Sequence, residues 1–315
     1  MKLMIKLGEL LLKKHNALMA KNGFFLLFSL CFALFCFSCR SVSVENFVDP
    51  LDLIDSESSF YLRIPKNVDS ELISRMLQNN IQGISEKDAC RITERIDTVY
   101  LGLKKSRKSV EFQISSLCSF PKIALGSAFS KKNGWTADKL VLENSAKKNE
   151  TYTVYKNSDI FASFPSVNIS LLGRNVPSMV EKYHNISNGI NTDFSFALAE
   201  DLHDWLSYDD KSSANQLRFY ASKPQSFLTT LTGANLNLKL AYVKGFLVND
   251  SEDASQYLAS LEFEFKDARV VAAAKAMLEV AFGLTDSNIS ATSKTHLIVS
   301  DVKINKNQLY KILVI

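Results

Sequence analysis

The chain has 315 residues, of which 46% are hydrophobic and 22% charged, a composition that fits one large or two ordinary globular domains and excludes an extended disordered polymer. Its formal charge of +4 is concentrated at one end: residues 1–38 hold Lys2, Lys6, Lys13, Lys14 and Lys21 against Glu9 alone, and the rest is electrically balanced. That balance removes the electrostatic basis for binding nucleic acid, and residues 39–315 hold only Cys39, Cys90 and Cys118, with no Cys-x-x-Cys pair among them and so no zinc framework.

The run FFLLFSLCFALFCF from Phe24 to Phe37 is shorter than the ~20 residues a helix needs to cross a bilayer, and it matches the apolar region of an export signal. With Ser29 its one polar residue, it lacks the amphipathic pattern of a core helix; an uncleaved anchor is the other use of such a run. Ser38 and Cys39 follow directly, with Cys36 three positions before Cys39. A small residue before a cysteine at the end of an apolar run resembles the loose lipobox of spirochaete-type bacterial lipoproteins. The resemblance implies that residues 1–38 are a signal peptide, with Met19 a natural start. It also implies that Cys39 is diacylated and that the protein is exported and membrane-anchored, at the periplasmic face or outer membrane of a bacterium. Cys31 and Cys36 leave with the signal, so Cys90 and Cys118 are free to pair in an oxidising compartment; alternatively Cys118 is a small buried side chain.

Residues 39–48 then read as the lipidated cysteine and a short polar tether, and residues 49–165 as a first α+β unit. Phe60 to Pro65 is a strand. Asp69 caps a helix whose Leu72, Ile73, Met76 and Leu77 share one face. Thr98 to Leu103 is a strand around Gly102, and Val110, Phe112 and Ile114 alternate with polar residues as in a strand with one wet face. A helix follows, then a hairpin from Thr151 to Phe164 turning at Lys156-Asn157.

Residues 166–213 read as a helical connector, with Pro177 in the first turn of a helix through Met179, Val180 and Tyr183, and a second helix from Ala197 to Leu206. Residues 214–315 repeat the first unit in order. Phe219-Tyr220 answers Phe60-Tyr61, Gly245 answers Gly102, and Leu261, Phe263 and Phe265 alternate with Glu262 and Glu264. Asp267 and Gly283 then bracket a helix carrying Val270, Val271, Ala274, Met277, Leu278, Ala281 and Phe282. A hairpin through Lys306-Asn307 closes the repeat, with Leu309 to Ile315 as an interior strand. The predicted fold is therefore α+β: two similar ferredoxin-like units (β-α-β-β-α-β plus an extra strand) with antiparallel sheets, joined by a helical segment.

The connector carries Glu-x-x-His twice, Glu181 with His184 and Glu200 with His203, a spacing that puts carboxylate and imidazole on one helical face. Two such helices make half of a di-iron carboxylate site, but strands surround them where further helical glutamates are needed, so a solvated helix face is the expectation and no cofactor is implied. No nucleophile elbow, zinc-protease motif or phosphate loop occurs, so no catalytic residue is named. Phe161, Phe164, Phe194, Phe196 and Trp205 near the junction would line an apolar groove if the two units leave one. The segment Val271 to Phe282 is apolar enough to lie in a bilayer surface, whereas Ala272-Ala273-Ala274 suits close helix-on-sheet contact. The expected function is that of a non-enzymatic binding module contacting another envelope protein or an apolar ligand. The alternatives are a hydrolase or metal enzyme using His184 and His203, and a membrane-inserting or ligand-carrying lipoprotein.

Overall fold

Twelve described strands hydrogen-bond side by side in one sheet, and every neighbouring pair is antiparallel. The computed structural model describes residues 47–313 except 56, 82, 106–109, 122–124, 126–127, 144–148, 191–199, 208–212 and 285–287. In chain order the elements are β1 (Phe60–Pro65), α1 (Ser70–Asn80), α2 (Glu86–Thr93), β2 (Ile96–Lys105), β3 (Val110–Cys118), β4 (Thr136–Leu142), β5 (Glu150–Asn157), β6 (Ile160–Ser163) and β7 (Ile169–Gly173). There follow α3 (Val176–Ser187), α4 (Glu200–Ser207), β8 (Leu217–Ala221), α5 (Gln225–Thr232), β9 (Leu240–Asn249), β10 (Gln256–Phe265), α6 (Val271–Phe282), β11 (Ile289–Ala291), β12 (His296–Asn305) and α7 (Lys306–Leu313). The strand order across the sheet is β11-β12-β10-β9-β8-β1-β2-β3-β7-β6-β5-β4.

Period-two alternation decides which layer each side chain joins. Phe60, Leu62 and Ile64 of β1 point into the larger core, shared with Leu72 and Met76 of α1, Phe227 and Leu228 of α5, Leu278 of α6 and Leu309 of α7. Tyr61 points the other way, to join Leu51, Ile54 and Tyr100 under Leu202 and Leu206 of α4. A third cluster on that side holds Leu53, Tyr152, Leu171, Met179, Val180 and Tyr183 beneath α3. The sheet is thus a middle layer, with five helices on one face and α3, α4 and the 3-10 turn Pro50–Leu53 on the other.

Several expected elements form as read. The Asp69 carboxylate accepts from the Leu72 N–H at 2.8 Å to start α1, and Leu72, Ile73, Met76 and Leu77 are buried. Asp267 caps a 3-10 turn, Ala268–Val270, that runs into α6, and Gly283 ends α6 at φ 65°. Pro177 lies in the first turn of α3. In the first half, the Phe129 N–H bonds the Leu125 carbonyl at 2.9 Å, one helical turn where a helix was expected.

The ferredoxin-like order is not realised. That order needs each helix to link two parallel strands that are split by another strand inserted between them, whereas here α1 and α2 return the chain so that β2 lies antiparallel directly beside β1. β1-β2-β3 and β8-β9-β10 are meanders, and Phe60 to Arg63 pair with Ala221 to Arg218 so that both belong to one sheet. The connector is not wholly helical, because β7 joins β3 to β6. Leu309 to Leu313 is helix α7 rather than a strand: Leu309 and Leu313 are buried one turn apart, and Lys306-Asn307 begins the helix instead of turning a hairpin. The first hairpin turns at Ser158-Asp159, not Lys156-Asn157, since Asn157 pairs with Ile160. The polar face of β3 is not wet either, as Gln113 and Ser115 are buried there.

Gly102 and Gly245 serve different purposes. A Cβ on Gly102 would meet Ile54 Cγ2 at 2.4 Å and Ser58 Oγ at 2.6 Å, so this glycine admits the N-terminal segment against β2. A Cβ on Gly245 would lie 2.3 Å from the Ser260 carbonyl oxygen and 3.2 Å from Phe219, a close approach of two strands under an aromatic ring.

Candidate functional site

The two Glu-x-x-His helices hold the body together rather than converging on one point. His184, on the buried side of α3, donates through Nε2 to the Glu143 carbonyl at 3.1 Å, and its Nδ1 lies 3.2 Å from both Glu150 Oε2 and the Tyr152 hydroxyl. The Tyr152 hydroxyl donates to the same Glu150 oxygen at 2.5 Å, and Asn188 Nδ2 adds a third bond at 3.3 Å. Burial works against the Glu150 charge, but these bonds outweigh it and hold the carboxyl below its ordinary value. His203 on α4 instead reaches Asp52 of the 3-10 turn, Nε2 to Oδ1 at 2.7 Å. Burial raises the Asp52 pKa although His203 opposes it. Glu181 is exposed on α3, and among the described residues no three His, Cys, Asp or Glu side chains form a set for a metal ion.

Lys182, which no sequence motif singles out, has a clearer structural task. Its ammonium donates to the Ile54 carbonyl at 3.1 Å and to Asp55 Oδ1 at 2.9 Å, while Gln113 of β3 exchanges two bonds with Asp55. The segment from Asp52 to Asp55 is therefore fastened from α3, α4 and β3 together.

The expected apolar groove is divided by the sheet. Phe161 packs with the cluster under α3, near Lys156 Nζ at 5.4 Å from its ring. Phe164 makes edge contacts with Phe120 and Phe129, which border the opposite core. Trp205 sits in the α4 cluster under the Arg218 guanidinium at 4.4 Å and the Lys244 ammonium at 5.1 Å. Phe194, Phe196 and Cys39 lie outside the described residues. Cys90 and Cys118 are free thiols: Cys90 is exposed on α2 beside Ser74, and Cys118 is buried at the end of β3, where burial pushes its thiol up to about 11.

Helix α6 departs most from expectation. Of its apolar stripe only Ala274 and Leu278 are buried, while Val280 is 85% exposed and Met277 40% exposed, beside exposed Ala272, Ala273 and Ala276. Helices apolar on two sides are rare on a surface that meets only water. No helix among the described residues is long and apolar enough to cross a membrane.

A family profile described as "Outer membrane-associated lipoprotein TP0453" matches residues 45–310. Outer membrane protein TP0453 of Treponema pallidum (strain Nichols) is 24% identical over 224 residues, 71% of each chain. Crystal form I of TP0453 superposes with a TM-score of 0.65 at 21% identity, covering 85% of this chain and 97% of that one. Form III gives 0.62 at 21% identity, covering 85% and 98%. At such identity the superpositions establish a common fold.

Proposed function

Because this chain belongs to the outer membrane-associated lipoprotein TP0453 family, we propose that its folded body is a non-enzymatic binding module that meets its partner through the outer side of α6. The protein is an exported, membrane-anchored lipoprotein of the cell envelope. In this reading residues 1–38 are removed, Cys39 carries the lipid, and the fastened segment at Asp49 to Asp55 transmits the anchor to the sheet. The two meanders are read as copies of one unit, which the pairing of Tyr61 directly opposite Tyr220 supports, since equivalent residues then meet at the local axis.

The exposure of Val280 and Met277 on a helix with so little polar surface carries the proposal. The same observation favours a second reading in which α6 lies in the bilayer surface, because a lipid-anchored body is already held within reach of that surface. An enzyme reading has less support, as His184 and His203 are each engaged in fastening structure. Residues 40–315, which lack both the apolar run and the lipidated cysteine, separate the two contact readings by flotation with phosphatidylcholine/phosphatidylglycerol vesicles. Flotation abolished by Val280→Glu assigns α6 to the bilayer. No flotation, together with photo-crosslinks from position 280 to an envelope protein in cells, assigns it to a protein partner. Flotation and crosslinking both unchanged in Val280→Glu would remove α6 from the account.

A further inference from the structure

A cavity of about 310 Å³ opens beside the Ser158-Asp159 turn, between the end of α1, β3 and the strands β5 to β7. Its size is at the lower end of the ~300–1,000 Å³ typical of small-molecule clefts. None of its lining residues belongs to α6 or bonds His184 or His203. We propose that this cavity binds a neutral, hydroxyl-rich ligand of the saccharide or polyol class.

The lining argues for that class by what it offers and by what it leaves unused. Trp135 is 4% exposed, and none of the described residues accepts a hydrogen bond from its indole N–H. Its N–H is reached by solvent rather than sealed in the core, and so stays open to a ligand's acceptor. The Asn157 amide is half-buried and bonds no described residue, while Asn80 spends its Nδ2 on the Met76 carbonyl at 2.9 Å and keeps its oxygen for another donor. Two amides and an indole therefore present donors and acceptors together, the complement of a ring of hydroxyls, each of which gives and takes one bond. At the mouth, Asp159 and Arg174 stand 3.0 Å apart, two planar groups suited to adjacent hydroxyls.

Other ligand classes fit less well. The charges of Asp159 and Arg174 cancel, so no net field attracts a phosphate or a carboxylate. An apolar ligand would leave the amides and the indole N–H without water or partner, which costs affinity for each group. The turn itself adds an argument: Ser158 has φ 54° at the first position of a two-residue hairpin, where glycine is the unstrained choice. A serine held there places a further hydroxyl at the cavity wall.

The experiment uses the full-length chain with Trp205→Phe, which leaves Trp135 as the only tryptophan, and the unaltered chain in parallel. Glucose, galactose, N-acetylglucosamine, inositol and an N-acetylglucosamine tetramer are titrated against tryptophan emission in the first and saturation-transfer NMR in the second. The expected result is a saturable response to at least one probe, weakened about fivefold or more by Asn157→Ala and by Asp159→Ala, both of which leave the far-UV spectrum unchanged. A response to monosaccharides identifies the ring as sufficient and a free sugar as the ligand; a response to the tetramer alone identifies a polymeric glycan. No saturable response by either method, or one that survives both substitutions, overturns the proposal.

Discussion

Glu150 and Asp52 are both carboxylates near a histidine, yet their surroundings move them in opposite directions. Glu150 is 36% exposed at its side chain and collects bonds from Tyr152, Asn188 and His184, so its carboxyl titrates below the ordinary 4.5. Its charge therefore adds stability that is present above pH 4.5 and lost as pH falls through the folded value. Asp52 is more enclosed, burial outweighs the help of His203, and its pKa lies above 3.8. Its contribution is present below 3.8 and lost as pH rises through the folded value. Denaturant melts between pH 3 and 7 should show the stability gap between wild type and Glu150→Gln closing toward acid. The wild type should instead gain on Asp52→Asn over the same descent. Parallel profiles for the two variants would contradict this assignment of the two environments.

Helix α7 shows where local pattern and tertiary context part. Ile312-Leu313-Val314-Ile315 has the β-branched composition of a strand, but the chain has already turned at Asn305, and Leu309 and Leu313 fall one helical turn apart on the core. Gln308 fixes the orientation by donating to the Leu231 carbonyl at 2.9 Å, and Asn79 bonds Tyr310 from α1. Leu309→Ala should cost about 2–4 kcal/mol in equilibrium unfolding, against less than about 0.5 for the exposed Lys311→Ala. Equal effects would mean that α7 is not seated as described. Elements with one strong period were legible in the same way: β10 alternates and α1 repeats cleanly, and Asp69 marks its helix. β4 was not, because both its faces are largely exposed and its side chains carry no alternation. For α6 the apolar stripe was visible, but with alanine and valine on both sides nothing in the period says which side meets the sheet. The divided groove could have been anticipated, since Phe161 and Phe164 are three apart on an extended segment and so face opposite ways. The Lys182 to Asp55 pair could not, as only the fold brings residues 127 apart in sequence together.

At the scale of the whole molecule, the β1 to β8 pairing decides whether the two halves are independent. Residues Asn46–Ile315 form one compact unit, and the larger core runs from Trp135 through Phe60 and Phe219 to Leu309. Phe219, 1% exposed, is the hinge of that continuity: its ring lies 5.9 Å from Phe60 across the strand pair and 4.7 Å from Phe227 of α5. A sheet edge exposed by separating the halves would leave β1 and β8 with unpaired backbone groups and strip Phe60 and Phe219 of their shared contact, so partial opening is costly for both sides. Far-UV dichroism, which reads the whole sheet, and tryptophan emission from Trp135 and Trp205 should accordingly report one coincident urea transition. Phe219→Ala should lower stability by about 3–5 kcal/mol and move both signals together. If that substitution instead splits the transition, so that emission and dichroism change at separate urea concentrations, the halves fold on their own and the continuous sheet is not what unites them.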